Sequence, residues 1–155
     1  MSDIALTWEA TAGACDLSVY SNDLLHEDGI RTAILLSLFT DSRSEDGDTL
    51  PSGETDRRGW WGDAFPVADD DRIGSKLWLL ARSKQTADIL SRAEEYARAA
   101  LKWLLDDNVA ARVDVACEFL TPQRGLGLSV TVIRPNTDPV KFRFNQVWSA
   151  EEARI

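Results

Sequence analysis

Histidine is nearly absent from the sequence, cysteine occurs twice, and the uninterrupted apolar runs of membrane proteins do not occur at all. Each shortage removes a class of function. With His26 as the sole histidine, set in the polar run SNDLLHEDG, neither a nucleophile–base constellation nor a Cys/His zinc site can be assembled, and His26 reads as a surface residue. Cys15 and Cys117 each fall inside an alternating apolar pattern, so both read as small buried hydrophobes and not as a disulfide. No segment reaches the roughly eighteen apolar residues that span a bilayer, and the start MSDIALTWEA has neither the basic head nor the apolar stretch of a signal peptide. A protein made and kept in a cytoplasm is expected. Cationic excess is missing too: the net charge is −9, which disfavours direct contact with nucleic acid, because phosphate binding needs a basic face. GxxxxGK[ST] and GxGxxG are absent, so nucleotide binding has no support, and no cofactor is expected.

What is present fits one soluble domain over residues 1–155, with 44% hydrophobic and 28% charged residues. Ile4, Leu6 and Trp8 alternate, as do Cys15, Leu17 and Val19 beyond Gly13, which predicts two short strands or a hairpin. GIRTAILLSLF (29–39) is apolar almost all round, a helix buried on most sides with Asp28 as its N-cap. A short helix is expected in SKLWLLAR with Ser75 as cap. A long one follows from Thr86 to about Asp107, because Ile89, Leu90, Ala93, Tyr96, Ala97, Ala100, Leu101, Leu104 and Leu105 share one stripe. The last third turns to period two: Val113–Phe119, Leu126–Val132 and Val140–Phe144, joined by the turn-forming TPQRG and PNTDP. The fold class is therefore α+β, a three-stranded antiparallel C-terminal meander packed on the long helix, with additional N-terminal strands and helix.

Between the helices, residues 41–72 carry ten acidic side chains against four arginines, a local balance of −6, together with four glycines and two prolines. Those residues break any period, so a long irregular loop is expected, of the kind that tends to carry function. Asp41, Glu45, Asp46 and Asp48 crowd its start, but counting from Asp41 puts Asp46 where an EF-hand needs glycine and Ser52 where it needs glutamate. A solvated acidic loop is the better reading, and no metal is expected. The same loop holds RRGWWGD, with Trp78 in the helix beyond it. Burying one such ring contributes about 2–3 kcal/mol from area alone. Trp60 and Trp61 therefore either pack onto this chain's own core, with Arg58 and Asp63 paired locally, or are buried against a partner. Arg57, Arg58, Trp60, Trp61, Asp63 and Trp78 are the candidate residues for protein contact or for anchoring the loop.

Three blocks carry a resemblance: SLFTDSR (37–43), DRRGWWGD (56–63) and GSKLWLLARSK (74–84). In order and spacing they resemble the small baseplate proteins of phage Mu and Mu-like prophages, themselves similar to the small wedge subunit of contractile phage tails. The likeness covers nearly the whole chain, although Phe39 and Ser42 depart from the usual pattern. It implies a non-enzymatic structural subunit of the virion, assembled in the bacterial host cytoplasm into a tail baseplate. A larger wedge protein would be its main neighbour, with the tail hub or tube and the sheath as further partners. It also implies about six copies around the tail axis, each needing at least two contact patches. The alternative is a lysozyme-like peptidoglycan-degrading enzyme of the tail, which needs one carboxyl held protonated in an apolar setting. A third reading is an acidic regulator that binds a basic host protein through residues 41–72.

Overall fold

The computed structural model describes residues 3–147 except 22, 25, 28, 52, 67–71, 82 and 122–124. Short strands open the chain: β1 (Asp3–Ile4), β2 (Leu6–Glu9), β3 (Ala14–Leu17), β4 (Val19–Tyr20), β5 (Asp23–Leu24) and β6 (His26–Glu27). Helix α1 (Ile30–Phe39) follows, then two 3-10 turns at Trp61–Ala64 and Leu77–Leu80, then α2 (Ala87–Ala100) and α3 (Trp103–Asp106). Strands β7 (Arg112–Leu120), β8 (Gly125–Ile133) and β9 (Val140–Val147) close the fold. Among the described residues no helix is long and apolar enough to cross a membrane.

The expected meander is present, antiparallel in the order β7-β8-β9. Its register sets Val132 between Val113 and Val140, Val130 between Val115 and Phe142, and Leu128 between Cys117 and Phe144. These rows share one face because side chains alternate along a strand, and that face meets Ile89, Ala93, Ala97, Leu101 and Leu104 in the core. Leu126, Leu128, Val130 and Val132 are fully buried. The outer edge of β7 is also occupied: the Glu94 carboxylate accepts the Cys117 amide at 3.2 Å, and the Arg98 guanidinium donates to the Val115 carbonyl at 3.1 Å. Backbone groups that would otherwise invite a further strand are thereby satisfied from α2.

The long helix is interrupted. At Leu101–Lys102 the ladder tightens to i→i−3 bonds, Lys102 N–H to the Ala99 carbonyl at 3.3 Å and Leu104 N–H to the Leu101 carbonyl at 3.1 Å, before α3 begins. The stripe survives because Ala97, Leu101 and Leu104 remain buried through the tighter turn.

Helix α1 begins one residue later than expected. Gly29, in the left-handed region at φ 82°, occupies the cap position without a side-chain bond, and Asp28 lies outside the described residues. Ile34, Leu35 and Leu38 are buried, but Leu36 faces outward, 41% exposed.

Strands β2 and β3 form the expected hairpin. Trp8 docks it: the indole stacks on Phe39 at 4.0 Å, and its N–H donates to the Asn145 carbonyl of β9 at 2.8 Å. Thr32 ties β1 and β2 to α1, accepting the Leu6 amide at 3.3 Å and donating to the Ile4 carbonyl at 3.2 Å. The expectation for Cys15 fails, since it is exposed on β3 even though its cross-strand partner Trp8 is docked, whereas Cys117 is half-buried; both are free. Burial, helped by the Glu94 charge, pushes the Cys117 thiol up to about 12. His26 pairs with Ile4 through its backbone, while its side chain lies outside those described.

Candidate interface

The described residues of the connection from Asp41 to Lys76 are irregular, as expected, apart from the 3-10 turn at Trp61–Ala64, and the connection is fastened at both ends. Ser42 N–H donates to the Ser75 carbonyl at 3.0 Å, and Ser75 N–H to the Thr40 carbonyl at 2.9 Å, a parallel bridge between the two stems. Gly74 makes that approach possible at φ 99°, where a Cβ would stand 2.4 Å from the Thr40 carbonyl oxygen. The buried Ser75 hydroxyl donates to the Leu38 carbonyl at 2.6 Å and accepts the Leu77 amide at 3.2 Å. Its capping role is thus kept, although the turn it opens is 3-10 and Lys76 holds the formal cap position.

Trp78 is buried beneath this bridge, 4% exposed, with its indole N–H donated to the Ser42 carbonyl at 2.8 Å. The Arg58 guanidinium lies over that ring, 4.5 Å from its centroid. Arg58 does not pair with Asp63 as one reading required. It donates to Asp41 Oδ2 at 2.8 Å and to both Glu54 oxygens at 3.1 and 3.0 Å. Burial works against the guanidinium's charge, but the bonds to these two carboxylates outweigh it and hold its pKa above the ordinary value. Asp63 instead accepts the Ile73 amide at 3.2 Å, closing the segment on itself.

The acidic loop is largely solvated, and its acids are paired as well, which the sequence did not show. Asp46 pairs with Arg57, while Glu45 and Asp48 converge on the Lys76 ammonium at 3.1 and 2.8 Å. Five of the acids between 41 and 54 are thus bound to three cations, and the segment is cross-braced by charge. Asp69, Asp70 and Asp71 lie outside the described residues. The general acid that the glycosidase alternative requires needs a raised carboxyl pKa. Asp48 moves the other way, lowered by the Lys76 hydrogen bond and the Glu45 amide.

On this braced base Trp60 and Trp61 stand outward, 46% and 77% exposed, with ring centroids 5.5 Å apart. Trp60 lies flat over Gly62, where an added Cβ would come within 2.3 Å of the indole. Of the six candidate residues, Arg58 and Trp78 form the anchor, Arg57 and Asp63 brace the loop, and Trp60 and Trp61 form its exposed crest. The sequence reading missed Phe65, which extends that crest at 81% exposed; its sign was an aromatic within the same aperiodic segment. It missed Arg43, Arg72 and Lys76 as well. These three, with Arg58, Trp60 and Trp61, line a cleft of about 530 Å³ on one side of the crest. On the other side Leu36, Phe65, Ile73 and Trp103 line a more apolar cleft of about 460 Å³.

The family described as phage protein GP46 matches residues 30–139, from α1 through the braced connection to the turn before β9. The chain is 40% identical over 149 residues to the baseplate protein gp46 of Escherichia phage Mu, covering 96% of this chain and 99% of that protein. It is 43% identical over 150 residues to the Mu-like prophage FluMu protein gp46 of Haemophilus influenzae, again covering 96% and 99%.

Proposed function

The chain belongs to the phage protein GP46 family, and we propose from that premise that it is a structural subunit of a phage tail baseplate, working through protein contacts and not catalysis. Residues 1–155 serve as one domain of a contractile-tail wedge, in about six copies around the axis, a cyclic arrangement that calls for two contact patches per subunit. A larger wedge protein is the principal neighbour, with the hub or tube and the sheath beyond it. The observation that carries this reading is the exposed pair Trp60 and Trp61, held up by a base in which Arg58, Trp78 and the paired acids are already satisfied. Such rings gain their burial energy on assembly.

The test is a phage whose copy of this gene carries Trp60→Ala with Trp61→Ala. The isolated variant is expected to remain folded and soluble while baseplates fail to form, as seen by electron microscopy of lysates. Normal tails from the variant would remove the crest from the interface, and absence of the wild-type chain from purified particles would remove the baseplate role itself.

A further inference from the structure

Resting on that baseplate reading, we propose that the crest docks an acidic segment of a different virion polypeptide, with an apolar side chain seated beside Phe65 and carboxylates met by Arg43 and Arg72. The argument is one of unspent charge. In a chain of net charge −9, most cations of the connection are consumed: Arg57 by Asp46, Arg58 by Asp41 and Glu54, Lys76 by Glu45 and Asp48. Arg43 and Arg72 are not. Both are exposed, both line the cleft beside Trp60 and Trp61, and among the described residues neither has an acidic partner. Arg43 has one weak bond, to the Arg58 carbonyl at 3.4 Å. Two acids line the same cleft and both are engaged: Asp63 accepts the Ile73 amide, and Glu45 pairs with Lys76.

Arg72 also borders the apolar cleft beyond Trp60, so one extended segment crossing the crest would meet Leu36, Phe65 and Trp103 on one side and guanidinium groups on the other. Arginine beside tryptophan is the composition in which binding energy concentrates, and the planar guanidinium takes carboxylates two bonds at a time. A basic partner does not fit, because it would meet two arginines that have no acidic partner among the described residues.

The experiment uses intact particles. A photo-crosslinking phenylalanine derivative replaces Ala64, an exposed residue lining the cleft, in a phage carrying this chain. Purified particles are irradiated and the joined peptide is read by mass spectrometry. The expected product is a peptide of another virion protein with aspartate or glutamate close to the attachment point. A neutral or basic peptide, a second copy of this chain, or no product from particles that contain the labelled chain would overturn the proposal while leaving the baseplate role standing. Arg72→Glu gives a reading independent of the label. It is expected to lower incorporation about tenfold or more, with recovery when the partner's acid is changed to lysine. Incorporation unchanged by Arg72→Glu would also overturn it.

Discussion

The guanidinium of Arg58 lies 4.5 Å over the buried indole of Trp78, and this contact joins two parts of the chain that share no regular structure. Trp78 is held by its bond to the Ser42 carbonyl, and Arg58 by Asp41 and Glu54, so four segments of the connection meet at one cation–π pair. Arg58 adopts a left-handed backbone, φ 52°, which costs a non-glycine residue about 1–2 kcal/mol. The residue therefore stays for its side chain, which offsets that strain through charge-assisted bonds and ring contact.

Arg58→Lys tests this account. A lysine keeps the charge but loses the planar fork that reaches two carboxylates while lying over a ring. Urea denaturation is expected to show a loss of about 1–3 kcal/mol, discounted for a side chain one-third exposed. A loss no larger than that of an ordinary surface substitution would mean that charge alone holds the connection.

The Asp48–Lys76 brace makes a prediction in pH. Asp48 is held below its ordinary 3.8, so its contribution is fully present above that value and is lost as pH falls through the folded-state value. For Lys76, burial opposes the charge, but the bonds to Asp48 and Glu45 win and raise its pKa above 10.5. That contribution is complete below 10.5 and lost as pH rises through the raised value. Asp48→Asn is therefore expected to have a lower urea midpoint than the wild type at neutral pH, with the gap narrowing as pH falls below 3.8. A gap independent of pH would show that the carboxylate's charge is not what Lys76 holds.

Much of the scaffold was legible because each element buries one face. The period-two runs at 113–119 and 126–132 match β7 and β8, and the stripe from Ile89 to Leu104 matches the covering helices. The break at Leu101 was hidden, since residues 97, 101 and 104 point inward through either an α or a 3-10 turn. Cys15 misled because a two-stranded ribbon alternates whether or not a second layer covers it. In the connection, Arg58 pairs with an acid seventeen residues away and Arg57 with one eleven away, separations that follow no period and so leave no mark in the sequence. The two fates open to Trp60 and Trp61 gave the same composition and separate only when exposure is seen.

Gly74→Ala tests the stem bridge. The glycine stands at φ 99°, and a methyl group would lie 2.4 Å from a backbone oxygen that already accepts the Ser75 amide. Backbone cannot yield as a flexible side chain can, so a loss of about 2–4 kcal/mol is expected, the strain of the left-handed region and the overlap combined. Hydrogen exchange is expected to quicken at the Ser42 and Ser75 amides before it does at β8. Protection unchanged at those two amides would show that the bridge tolerates the methyl group.

The tryptophans of neighbouring blocks should behave in opposite ways, and the contrast separates folding from assembly. Trp78 is 4% exposed and bonded, so Trp78→Ala leaves a cavity beneath Arg58 and is expected to cost about 3–5 kcal/mol. Trp61 is 77% exposed, so Trp61→Ala is expected to move stability by no more than about 0.5 kcal/mol, the range of a surface change. In particles the order reverses in meaning. The Trp61 variant is abundant and folded in the lysate yet poorly incorporated, whereas the Trp78 variant is lost because little of it folds. Denaturation of each purified variant, set beside its abundance in lysate and in particles, distinguishes the two. A Trp61→Ala protein as unstable as Trp78→Ala would return the crest to the core and leave the interface to another face of the molecule.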